Sequence, residues 1–150
     1  MSHTYVSNLV HVVFSTSERR NTISDDMRTR LWAFMGGVAR ERNAKALCIG
    51  GTDNHVHLLI SIPATIHVAE LVKAIKAISS IWVHEEYPEK RHFAWQKGYG
   101  AFSIGRAQRE VTAAYIANQE EHHRKRSFEE EFVTFLERNG VEYDARFVFG

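Results

Sequence analysis

From Asn54 to Pro63 the residues sort by parity. Val56, Leu58, Ile60 and Ile62 take one side, and His55, His57, Leu59 and Ser61 take the other. This is the period of a β-strand with one apolar face set against a core. The opposite face then carries two imidazoles at positions i and i+2, about 7 Å apart along a pleated chain. Two readings fit such a pair. Neighbouring imidazoles on one sheet face suit a single divalent metal ion. Histidines in strands also serve as ordinary surface or hydrogen-bonded residues.

The segments around this strand set its place. Tyr5 to Ser15 reads as a strand, with Val6, Asn8, Val10, Val12 and Phe14 alternating against Leu9, His11 and Val13. Ser24 is placed to cap a helix that has Asp25 and Asp26 in its first turn, where the helix dipole favours acids. That helix should run to about Arg42, with Met27, Leu31, Phe34, Met35 and Val38 as its apolar stripe. Ala44 to Gly50 predicts a second strand, joined to the His-x-His strand as an antiparallel hairpin through GGTDN. Gly50-Gly51 is no phosphate loop, because no Lys-Ser/Thr follows and no helix begins there. A second helix is expected from His67 to Glu86, ended by Tyr87-Pro88, with Lys73 and Lys76 on its exposed side. Those lysines suit either phosphates or solvent.

Glu89 to Gly105 gathers Lys90, Arg91 and Lys97, with Arg106 and Arg109 just beyond, among Phe93, Trp95, Tyr99 and Phe102, and ends in a strand at Ala101 to Ile104. Cations among aromatics suit single-stranded nucleic acid through phosphate contacts and base stacking. A hairpin with ordinary core aromatics fits equally. A third helix is expected from Arg106 to His123, followed by the basic run Arg124-Lys125-Arg126. Ser127 and Glu130 form a capping box for a last helix, Phe128 to Arg138, with Phe132, Phe135 and Leu136 as its apolar side.

The resulting order is strand, helix, strand, strand, helix, strand, helix. It predicts an α+β fold, a ferredoxin-like split βαβ with an antiparallel sheet. The His-x-His strand can be central, with helices on one face and the other face, left free for a ligand or partner chain, carrying the histidine site. The 150 residues suit one catalytic domain, 1–150, and 44% hydrophobic with 25% charged residues are globular values. Net charge is only +1, so any nucleic-acid surface must gather its cations locally. A lone cysteine, Cys48, rules out an internal disulfide or a Cys-based zinc site, and its apolar run makes it a buried, inert thiol. No stretch nears the roughly 20 apolar residues of a membrane span and no signal peptide is visible, so a cytoplasmic location without a membrane partner is expected.

Two imidazoles do not complete a metal site. In the third helix Tyr115 and Gln119 stand at i and i+4, one above the other. Packed beside the His strand, that helix can offer an amide oxygen to the ion and a phenol next to it. Two imidazoles and an amide oxygen, with positions left open for phosphate, suit Mg²⁺ or Mn²⁺. His122 and His123 are rival ligands, but adjacent helix residues diverge by about 100° and both cannot easily reach one ion; one of the two can assist, and as a pair they fit an exposed helix end. A phenol with a pKa near 10 needs its proton taken or its charge compensated before it can attack. A neighbouring cation does this and polarises a phosphodiester, which leads to a phosphotyrosine and a free hydroxyl end. Tyr115 is equally compatible with an ordinary half-buried helix tyrosine.

Taken together these motifs resemble the single-tyrosine HUH transposases of the insertion-sequence 200/605 type, or IS200-like transposases. The likeness lies in His55-Val56-His57 within DNHVHLLI and in Tyr115 to Gln119 within YIANQ. It extends to YVSNLVHVVFST, AIKAISSIW, WQKGYGAFSIG and the RSFEEEFVTFLERNGVEYD tail. The resemblance implies an enzyme that cuts and rejoins single-stranded DNA at the hairpin-bearing ends of a mobile element. Tyr115 would form a 5′-phosphotyrosine and release a 3′-hydroxyl, and His55, His57 and Gln119 would hold the divalent metal. It further implies imperfect hairpins in the DNA as the recognised partner. The protein would be a homodimer in which the tyrosine helix of one subunit can complete the His site of the other. A host nickase acting on repeated palindromes and a non-catalytic single-strand binder are the alternatives.

Overall fold

The computed structural model describes residues 3–149. Four strands, β1 (Leu9–Ser15), β2 (Lys45–Gly51), β3 (His55–Ser61) and β4 (Gly100–Ile104), form one antiparallel sheet in the order β2-β3-β1-β4. The long helices α1 (Asp25–Glu41) and α2 (Val68–Glu86) connect them as a split βαβ, the topology expected. The His-x-His strand is central, between β2 and β1. β1 begins at Leu9, later than predicted, because its ladder runs out there: Leu9 faces Ser61, Ile62 donates to Asn8, and Pro63 has no N–H to continue.

Alternation sorts the two sheet faces. Val10, Val12, Phe14, Val56, Leu58 and Ile60 pack with Met27, Leu31 and Met35 of α1 and Leu71, Val72 and Ile75 of α2 in the main core. Phe93 and Trp95 are buried in it, Trp95 donating from Nε1 to Ser79 at 2.9 Å. Phe102 is buried as well, so these three aromatics are core and Tyr99 alone of the group stays exposed. Lys76 is also occupied structurally. Its Nζ donates to the carbonyls of Gln96, Lys97 and Gly98 at 2.6, 3.2 and 2.9 Å, and burial pushes its pKa down to about 8.

The opposite face is not left open. The last helix, α5 (Phe128–Arg138), lays Phe128, Phe132 and Leu136 against Val13 and Phe102, forming a second core over the histidines. Its apolar stripe needs a covering surface, and this face of β1 and β4 provides it. Ser127 caps α5 by accepting from the Glu130 N–H, as its capping box predicts, and Gly140 with φ 65° follows the helix end. The expected third helix is broken at Asn118 (φ −103°, ψ 27°) into α3 (Arg109–Ala117) and the short α4 (Gln119–His122). No helix among the described residues is long and apolar enough to cross a membrane.

Candidate active site

His55 and His57 point from β3 into the space between the sheet and α5, and neither side chain is exposed. Each ring is held from behind. His55 Nδ1 lies 2.8 Å from Asn54 Oδ1 and 2.9 Å from Thr52 Oγ1, both in the turn that enters the strand. His57 Nδ1 lies 2.8 Å from Nε2 of His11, a buried residue of β1. Both Nε2 atoms therefore face the same centre. His11 is a member of the site that alternation placed on the correct face without marking it as functional. Burial, then the neighbouring His57, pushes the His11 pKa down to about 3; burial first and His57 next do the same to His55.

The third expected member is also there. Gln119, buried at the head of α4, brings Oε1 to 2.9 Å from His55 Nε2. When His55 Nδ1 carries the hydrogen that Asn54 Oδ1 accepts, Nε2 turns a lone pair toward the Gln119 oxygen, an acceptor pair that suits a cation. The break at Asn118 falls between this amide and the phenol four residues earlier, yet Gln119 Nε2 still donates to the Tyr115 carbonyl at 3.3 Å. Tyr115 is half-buried, its ring 5.8 Å from His57 and 4.4 Å from His122, and its hydroxyl donates to Glu131. Burial, then Glu131, pushes the phenol above its ordinary value.

Glu131 of α5 was not anticipated. Its Oε1 lies 2.9 Å from His57 Nε2, 3.1 Å from His123 Nε2 and 3.7 Å from His55 Nε2. Burial alone would raise this carboxyl, but His123, His57 and the Tyr115 hydroxyl outweigh it and hold it well below the usual carboxylate range. His123, expected at an exposed helix end, turns inward instead, while His122 stays exposed. Ligand atoms of His55, His57, His123 and Glu131 all lie within 4.8 Å of one another, a group that can hold a metal ion. His123 Nε2 is buried and meets Glu131 Oε1 at 3.1 Å without a well-aligned hydrogen bond, an arrangement that fits convergence on an ion.

The helix that carries Tyr115 is seated by close contact with β2. The Ile116 carbonyl sits directly over Gly50, and Cys48 Sγ donates to the Ala113 carbonyl at 3.5 Å. Cys48 is half-buried rather than buried as expected, and its partial burial raises the thiol pKa, in keeping with an inert thiol. Gly50 thus serves the approach of a helix, not of a phosphate. At the other end Arg28 of α1 ties down α4 through Glu120 at 2.6 Å.

Known proteins carry the same frame. The chain is 23% identical over 112 residues to the transposases for insertion sequence element IS200 of Salmonella typhimurium and Salmonella typhi, covering 71% of this chain and 73% of each relative. A candidate transposase from Deinococcus radiodurans R1 superposes with a TM-score of 0.65 at 20% identity, over 79% of this chain and 96% of that one. The REP associates tyrosine transposase, solved bound to a REP hairpin, superposes with a TM-score of 0.57 at 15% identity, over 77% of this chain and 68% of the other. The family described as Transposase IS200 like matches residues 4–119, which spans the strand of His55 and His57 and reaches Tyr115 and Gln119. On that match the chain belongs to the IS200-like transposases and is an enzyme of DNA transposition.

Proposed function

We propose that this enzyme cleaves and rejoins single-stranded DNA at the hairpin-bearing ends of a mobile element, with Tyr115 as nucleophile. The observation that carries the reading is the placement of the Tyr115 hydroxyl against the buried histidine and glutamate cluster. The same hydroxyl borders a cleft of about 360 Å³ that Arg126 and Arg138 also line, giving a phosphodiester cationic neighbours on its way in. Tyr115 Oη attacks phosphorus, its proton already directed at Glu131. The Oη–P bond forms and the P–O3′ bond breaks, leaving a 5′-phosphotyrosine and a 3′-hydroxyl once the departing oxygen takes a proton. Attack by a 3′-hydroxyl on the phosphotyrosine reverses these steps and rejoins strands without a nucleotide cofactor.

In this reading His55, His57 and Gln119 hold a divalent ion, Mg²⁺ or Mn²⁺, which compensates phenolate charge and polarises the phosphate. The chain acts as a homodimer, as the family resemblance implies, and the α3–α4 segment is the part that subunits would share. The test uses single-stranded DNA from the flank of the gene, carrying its imperfect hairpin and an end label, with Mn²⁺. A covalent protein–DNA band is expected on a denaturing gel and should vanish in Tyr115→Phe. A band that persists in Tyr115→Phe assigns the nucleophile elsewhere, and binding with no band in the wild type favours a non-catalytic binder.

A further inference from the structure

Glu131 lies beyond residue 119, where the family match ends, on the helix that closes the site. Among the described residues it is the only buried carboxylate. It stands on the stripe that otherwise carries Phe128, Phe132 and Leu136, where an acid is costly unless each oxygen has a partner. Its two oxygens are used differently. Oε1 turns to the imidazoles of His57, His123 and His55, and Oε2 accepts the Tyr115 hydroxyl.

We propose that Glu131 is a protein ligand of the ion held by His55 and His57, binding through Oε1, and that through Oε2 it fixes Tyr115 beside that ion. The proposal rests on the reading of His55 and His57 as metal ligands and adds to Gln119 rather than replacing it. Imidazoles and an amide are neutral, whereas a hard divalent cation favours an anionic oxygen among its ligands. Glu131 provides that charge at the point on which the imidazole nitrogens converge. A carboxylate that ligates with one oxygen and holds the phenol with the other sets the spacing between nucleophile and ion by its own width. Such a bridge explains why an acid occupies the apolar stripe of α5, and why the Tyr115 hydroxyl donates to that helix.

The full chain, stripped with chelator, is titrated with Mn²⁺ while the free-ion electron paramagnetic resonance signal is followed. Wild type and Tyr115→Phe should bind Mn²⁺ alike, and Glu131→Gln, which preserves shape, should bind at least about tenfold more weakly. Glu131→Asp keeps the charge on a shorter arm and should fall between them, which decides the matter if the Gln variant does not melt cooperatively. Affinity within twofold of wild type in the Glu131 variants, with binding lost in His57→Ala, overturns the ligand role while leaving the histidine reading in place. Undiminished binding in both His55→Ala and His57→Ala removes that reading, and the proposal with it. At Mn²⁺ concentrations that saturate Glu131→Gln, adduct formation should still be at least about tenfold slower, with oligonucleotide affinity unchanged. Equal rates overturn the positioning of Tyr115.

Discussion

The carbonyl of Ile116 rests on Gly50 so closely that a Cβ there would lie 2.3 Å from its oxygen. Backbone has replaced side chain at this contact between β2 and α3, and Tyr115 is the neighbour of Ile116 that gains its position from it. Gly50→Ala must push α3 away from the sheet. Overpacking of this kind costs about 1–3 kcal/mol, and a shift of about 1 Å at a reacting group can cost about 100-fold in rate. Adduct formation should therefore fall far more than the melting temperature does. A variant with wild-type rates would show that α3 is not seated through Gly50.

Acid should unfold this protein early. In the unfolded chain the imidazoles of His11 and His55 take up protons below about pH 6.5. In the folded chain both stay neutral down to about pH 3. Protons thus favour the unfolded state across that window, and their absence above it leaves the full stability. At pH 5 the loss is about 2 kcal/mol for each histidine. The Glu131 carboxylate, held low in the folded state, adds a further loss below the ordinary carboxylate range. Thermal melts of chelator-treated protein between pH 8 and 5 should show the decline, and His11→Phe should flatten it by one residue's share.

Lys76 should behave as a structural cation. Its ammonium holds three consecutive carbonyls between α2 and β4, and Lys76→Met leaves them without that donor. A stability loss of about 1–3 kcal/mol is expected. The salt dependence of oligonucleotide binding should keep its slope, because a residue that contacts no phosphate releases no counterion. A shallower slope in this variant would place Lys76 on the DNA.

One chain supplies both Tyr115 and His57 to the site described above. Sharing between subunits is tested by mixing Tyr115→Phe with His57→Ala protein after joint unfolding and refolding. The homodimer proposal expects partial recovery of adduct formation, since an exchanged α3 restores one intact site. No recovery would make the single-chain arrangement the active one.

Much of this was legible in the residues, and what was missed has a common cause. Parity placed β3, the hairpin followed from GGTDN, and α1, α2 and α5 ended close to where caps and prolines put them. Glu131 escaped because it closes the run Glu129-Glu130-Glu131, where acids are accounted for by the helix dipole. The signal was its spacing, three after Phe128 and four before Phe135, which puts it on the apolar stripe. His11 was hidden in the same way, a polar residue of inward parity in an apolar strand. The covered sheet face was missed as well, since a free face was expected, although the apolar stripe Phe128, Phe132 and Leu136 needed a surface to pack on. The break at Asn118 had no comparable signal, since Asn is tolerated within a helix as well as at its end.

The burial of His55 and His57 beneath α5 bears on timing as well as affinity. The layer of Phe128, Phe132 and Leu136 closes one side of the site, and the cleft bordered by Tyr115 and Glu131 leads to it from another, so ion and phosphodiester share one entrance. Bound DNA should then stand in the path of the ion. Chelator added after the oligonucleotide should strip Mn²⁺ more slowly than chelator added to the free protein. An enzyme built this way would hold its ion most firmly while a strand is in place, and would exchange it freely between strands.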